Sequence, residues 1–172
     1  DSMRVYVPST LAMLQQLVAD GQLSPVSGTA FAVTPALRES YAEGDDDELA
    51  EVALREAALG SLRLLAVDSE TGETALPPRR AVLVADVNDA ATTQRPDLDD
   101  AVVRLAEPIT VDDLVAVYVD IAAAELAVRT AMAVIDAADL GDEDAELAVG
   151  DAQDHDLAWY ATQELPFLLD LL

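Results

Sequence analysis

The chain has 172 residues, 34 of them acidic and 9 basic, for a formal charge of -25. All nine basic residues are Arg; Lys and Cys are absent, and His155 is the single histidine. These absences exclude thiol nucleophiles, zinc-finger and iron–sulfur frameworks, Schiff-base and P-loop lysines and multi-histidine metal sites, and the charge opposes binding to nucleic acid or anionic membranes.

A chain of this length forms one domain with a real core. Of its residues 52% are hydrophobic, and 32 of those are Ala. No apolar run approaches the ~20 residues of a membrane span. Asp1-Ser2 before Met3 reads as a tag remnant, leaving 3–172 as the domain. The opening Met3-Arg-Val-Tyr-Val-Pro8 lacks a signal-peptide core, so the expected compartment is the cytoplasm. Ile, Asn and Lys are rare or missing while Ala, Asp, Val and Leu abound, a bias expected of a GC-rich genome. The acidic excess is expected to serve solubility first, with basic proteins or cations as the partners it would favour.

Val5 to Val7 reads as a strand, followed by a helix capped by Thr10, with Leu11, Leu14, Leu17 and Val18 at helical spacing and Gly21 at its end. Thr29 to Val33 forms a second strand. Thr34-Pro35 opens a short helix, and Asp45 to Glu48 opens a longer one running to about Leu65. Asp68 to Pro78 is a polar loop and a candidate mobile segment. Ala81 to Val87, almost wholly apolar, is the central strand. Asn88 to Asp100 is a second polar loop, and Arg79-Arg80 a solvated start of the central strand. Ala101 to Leu105 and Val115 to Val119 add two strands. Helices follow from about Ala122, with a Glu125/Arg129 pair, from Asp142, and from about Asp154 to the end, with a kink or break at Pro166. The order is β-α-β-α-α-β-β-β-α-α-α. It predicts a single α/β domain: a mixed sheet of about five strands, its first two parallel, covered by helices, with a helical C-terminal region from about 122.

Three groups of residues are candidates for function. The first is the last predicted helix, where Leu157, Ala161, Leu165 and Leu168 make one apolar seam and His155, Trp159 and Gln163 lie opposite, flanked by Tyr160 and Glu164. A Trp away from the seam needs a second surface, so His155, Trp159, Tyr160, Gln163 and Glu164 form a candidate binding face. Asp151 and Asp154 are placed to orient His155, but no nucleophile accompanies it. The second group is Asp86, Asp89 and Asp120 at strand ends, an oxygen set suited to Mg²⁺. The third is one sheet face carrying Arg4, Tyr6, Arg104, Tyr118 and Asp120, either an anion-attracting patch or a set of Arg–carboxylate pairs.

Met3-Arg-Val-Tyr-Val-Pro-Ser-Thr-Leu, Thr29-Ala-Phe-Ala-Val-Thr-Pro-Ala-Leu-Arg and Trp159-Tyr-Ala-Thr-Gln-Glu-Leu165 together resemble a family of uncharacterised actinobacterial cytoplasmic proteins, a domain of unknown function, over nearly the whole chain from Met3. The resemblance implies no activity and no residue roles. The expected function is therefore a non-enzymatic module that binds a protein partner or itself, with no cofactor. The competing expectation is a small Mg²⁺-dependent hydrolase or transferase using the strand-end carboxylates.

Overall fold

Alternation of apolar residues over Ser2–Ser9 builds strand β1, with Val5 and Val7 turned to one face and Tyr6 to the other. The computed structural model describes residues 1–41, 43–71 and 76–172. Helix α1 (Leu11–Asp20) starts where the Thr10 hydroxyl accepts the Met13 N–H at 3.3 Å, and ends at Gly21, left-handed at φ 78°. Next come β2 (Gln22–Leu23), β3 (Thr29–Phe31), α2 (Pro35–Ser40), capped by Thr34, and α3 (Asp46–Thr71). The second half contains β4 (Ala81–Asn88), β5 (Thr92–Gln94), β6 (Val102–Leu105), β7 (Ile109–Thr110) and β8 (Leu114–Val119). It ends with α4 (Glu125–Asp139), α5 (Glu143–Gln153), β9 (Ala158–Ala161) and α6 (Leu165–Asp170).

Seven strands form one sheet in the order β5-β6-β3-β1-β4-β8-β9, and β2 pairs with β7 apart from it. Every pairing is antiparallel. The domain is α/β as expected, but the mixed sheet of about five strands is corrected to an antiparallel sheet of seven. The supposed parallel opening pair fails because α1 is not a crossover to the far end of β1. Pro25, Ser27 at φ 57° and Gly28 at φ 68° turn the chain back, so β3 runs against β1 with Tyr6 opposite Phe31. A side chain at Gly28 would also meet the Leu105 carbonyl at 2.9 Å.

Local differences follow from pairing. Ser2 opens β1 opposite Asn88, and the Asp1 carbonyl just before it accepts the Asp89 N–H at 3.0 Å. The polar stretch after Asn88 holds a 3-10 turn and then β5, which borrows β6 as its partner. Helix α3 runs six residues beyond Leu65, through Thr71, and the predicted loop's residues 72–75 lie outside the described residues. Ala158–Ala161, expected as helix, is a strand.

The sheet is covered on both sides. On one face Val5, Val7, Leu83, Val103 and Val117 meet Leu11, Leu14 and Leu17 of α1 and Leu165 and Leu168 of α6. On the other, Tyr6, Phe31, Val82 and Val84 meet Leu37 of α2 and Leu49, Ala53 and Ala57 of α3. The second half of α3 turns Leu62 and Leu65 toward Val128, Ala131 and Ile135 of α4 and Ala152 of α5. Each buried Leu, Ile or Val contributes about 1.5–3 kcal/mol. The small residues of α3 permit close approach. At Gly60 an added Cβ would lie 2.8 Å from the Pro8 ring.

Candidate functional site

The junction between α5 and β9 is held by a buried ion pair. Arg80 immediately precedes β4 and Asp120 follows β8, so the pairing of these strands brings the two residues together. Their side chains are 1% and 0% exposed. Asp120 Oδ2 accepts the backbone N–H and Nε–H of Arg80, each at 2.8 Å, and Oδ1 accepts Nη2–H at 2.7 Å. Asp120 returns its own N–H to the Arg80 carbonyl at 3.0 Å. The guanidinium also donates to Gln153 Oε1 at 2.9 Å and to the His155 carbonyl at 2.8 Å. Gln153 Nε2 in turn donates to the Arg55 carbonyl on α3 at 3.3 Å. One cation thus ties together the sheet, the end of α5 and the turn that follows. A cavity of about 210 Å³ beside it is lined by Arg55, Arg80, Gln153, His155, Asp156 and Leu157, among others.

The helix expected from Asp154 does not form, and the clamp stands where it would begin. In a helix the His155 carbonyl accepts the N–H four residues on, that of Trp159. Arg80 occupies that carbonyl instead. Ala158-Trp-Tyr-Ala161 then extends along β8, with Trp159 opposite Tyr118 and Tyr160 opposite Val117; Trp and Tyr favour such a half-buried pleat. After a 3-10 turn at Thr162–Glu164, Pro166 falls in the first turn of α6, where its missing N–H costs nothing.

β9 is an edge of the seven-stranded sheet. Ala161 turns its N–H outward, since it donates to the Glu164 carboxylate at 3.0 Å, and Trp159 two residues earlier shares that orientation in the ladder. The Trp159 side chain is 56% exposed. It lies on the face covered by α3, whereas Tyr160 packs into the face covered by α1 and α6. On that latter side, Leu165 and Leu168 of α6 are buried, yet Phe167 is 72% exposed and Leu171 just beyond the helix 85%. A shallow groove of about 240 Å³ runs between α6 and α1, with Val18, Ala19, Pro166 and Leu169 in its walls.

The expected binding residues therefore share one chain segment but not one helix face. His155 sits half-buried at the clamp, Trp159 is exposed on the edge strand, and Tyr160 is part of the core. Gln163 is exposed in the turn, and Glu164 caps the strand edge. The structure does not bring together Asp86, Asp89 and Asp120. Asp86 lies near the end of β4, bound to Arg4 at 3.0 Å and 3.2 Å, and Asp89 follows in an exposed 3-10 turn, while Asp120 adjoins the start of that strand. Among the described residues, no three His, Cys, Asp or Glu side chains converge as a metal site. The Arg-bearing sheet face resolves into separate contacts: Arg4 to Asp86, and Arg104 to the Ser27 carbonyl at 3.0 Å. Beside them burial pushes the Tyr6 phenol above its ordinary value.

Two expectations about arginines are corrected. Arg80 is not solvated, because its partner Asp120 arrives 40 residues later in the chain. Glu125 does not serve Arg129; it pairs with Arg79 at 2.9 Å. Sequence reasoning also missed Phe167 and Leu171, although Leu165 to Leu172 holds a single charged residue and so cannot bury all its apolar side chains on one side.

No described helix is long and apolar enough to cross a membrane. No curated protein and no solved structure matches the chain. A family model does match, over residues 3–169, and by it the chain belongs to DUF6912, a family of unknown function.

Proposed function

We propose that this protein is a protein-binding module, and that its partner docks on the surface made by α6 and its groove against α1. The observation that carries the reading is α6 itself. A helix apolar on all sides is ordinarily enclosed, yet here Phe167 and Leu171 are exposed on the helix that walls the groove against α1. Aromatic side chains in such positions supply much of the binding energy in protein interfaces. Charge selects the partner. From 130 to 172 the chain has no Arg, Asp170 lines the groove, and Glu164 immediately precedes α6. A second copy of this chain would bring the same acids against them. A partner with an apolar anchor and a basic rim complements both features. The Arg80 clamp serves this function by holding the turn that sets the course of β9, which leads to α6.

The Mg²⁺-dependent reading has less behind it, because both Asp120 oxygens are engaged by Arg80. The test is affinity capture by the wild type and by an F167S/L171S variant, followed by titration of the purified partner at rising salt. The proposal expects a basic partner, lost with the variant and bound more weakly as salt increases. Identical capture by both proteins overturns it. So does a salt-strengthened dimer through this surface, which would identify a second copy as the occupant.

A further inference from the structure

A cavity of about 470 Å³ opens between the start of α1, the last turn of α3 and the middle of α4, within the range of roughly 300–1,000 Å³ typical of small-molecule sites. Leu11, Leu65, Pro77 and Met132 supply apolar walls. Three charged side chains line the same space, Arg129 of α4 and Asp68 and Glu70 of α3, and Asp68 has a partner of its own. In a chain with 34 acids an arginine readily finds a carboxylate, but Arg129 has lost its natural one. Glu125, one turn earlier, is engaged by Arg79. Among the described residues, neither Arg129 nor Glu70 forms an ion pair, with each other or with a third group. Glu70 also lies in the last turn of α3, which holds no basic residue and where the helix dipole disfavours an anion.

A cavity with both apolar and polar walls, flanked by a cation and an anion that form no ion pair among the described residues, complements a ligand with an aliphatic body and the reverse pair. We propose that this cavity binds a small zwitterion of the α-amino acid type with an aliphatic side chain. Its carboxylate takes the Arg129 guanidinium, whose planar fork suits that group. Its ammonium takes Glu70, and its aliphatic body lies against Leu65 and Met132. The test titrates L-leucine, isovalerate and isoamylamine into the whole chain while following the Met132 methyl by NMR, with R129Q and E70Q variants alongside. Both substitutions are on exposed side chains and leave the core intact. Leucine is expected to shift the methyl and raise the melting temperature. Isoamylamine, which lacks the carboxylate, and isovalerate, which lacks the ammonium and one carbon, are expected to bind at least about tenfold more weakly. R129Q removes the preference for leucine over isoamylamine, and E70Q that over isovalerate. No shift with leucine at tens of millimolar, or leucine binding unchanged in both variants, overturns the proposal.

Discussion

Replacing Asp120 by Ala tests the clamp. The side chain is fully buried and accepts three N–H groups of Arg80. Its loss leaves a guanidinium at 1% exposure with no anion, facing only the neutral oxygens of Gln153 and His155. Removing one partner of a buried ion pair costs about 3–5 kcal/mol, chiefly because the remaining charge is uncompensated. For a chain of this size that corresponds to a fall in melting temperature of roughly 6–20 °C. Scanning calorimetry or urea unfolding measures it. A double variant, R80L/D120L, separates charge from packing. It removes the orphaned cation and leaves two neutral acceptors and, as D120A also does, the backbone N–H of residue 80 unsatisfied, so it is expected to be more stable than D120A. Hydrogen exchange of residues 158–161 adds a local readout, because the clamp holds the turn before β9. A D120A loss under about 1 kcal/mol, or a double variant less stable than the single, would refute the argument that an uncompensated buried charge dominates.

Three further outcomes follow from other sites. Gly60→Ala places a methyl 2.8 Å from the Pro8 ring and is expected to cost about 1–3 kcal/mol in unfolding experiments, although Ala is the better helix former. Burial, then the charge of Asp99, pushes the Glu56 carboxyl above its ordinary value of 4.5. Its folded value thus exceeds the unfolded one, so ionised Glu56 opposes folding and its cost grows as pH rises through that window. E56Q is expected to raise the melting temperature at pH 7 and to lose that advantage below pH ~4; an advantage that persists in acid contradicts the assignment. Glu164→Ala uncovers the Ala161 N–H on the sheet edge, and light scattering is expected to show self-association that grows with concentration. A variant as monodisperse as the wild type would show that this carboxylate does not guard the edge.

Much of the architecture was readable locally. Thr10, Gly21 and Thr34-Pro35 mark helix ends by their own backbone chemistry, and the apolar run at Ala81 marks a strand buried on both faces. What was not readable depended on distant partners. His155 to Tyr160 has no local reason to leave a helix until Arg80 takes the His155 carbonyl. Arg80 looks like any charged residue before a strand until Asp120 meets it. The two-residue strands β2 and β7 are too short for any period to show. The candidate site divides in the same way. Trp159 was identifiable as a residue in need of a second surface, while its position on a sheet edge follows from pairing with β8.

The pairing of β1 with β4 has a consequence for the nascent chain. Val5, Tyr6 and Val7 are needed in the centre of the sheet, but their partners Ala85, Val84 and Leu83 lie about 80 residues later. At roughly 5–20 residues per second of synthesis, β1 waits several seconds for the strand that pairs with it along its whole length. Its other partner β3 arrives sooner but meets it over a short stretch around Phe31. On the ribosome, then, the opening strand is a sticky apolar segment without a mate. The acid-rich start of α3 emerges in that interval and adds like charge, which discourages neighbouring chains from associating.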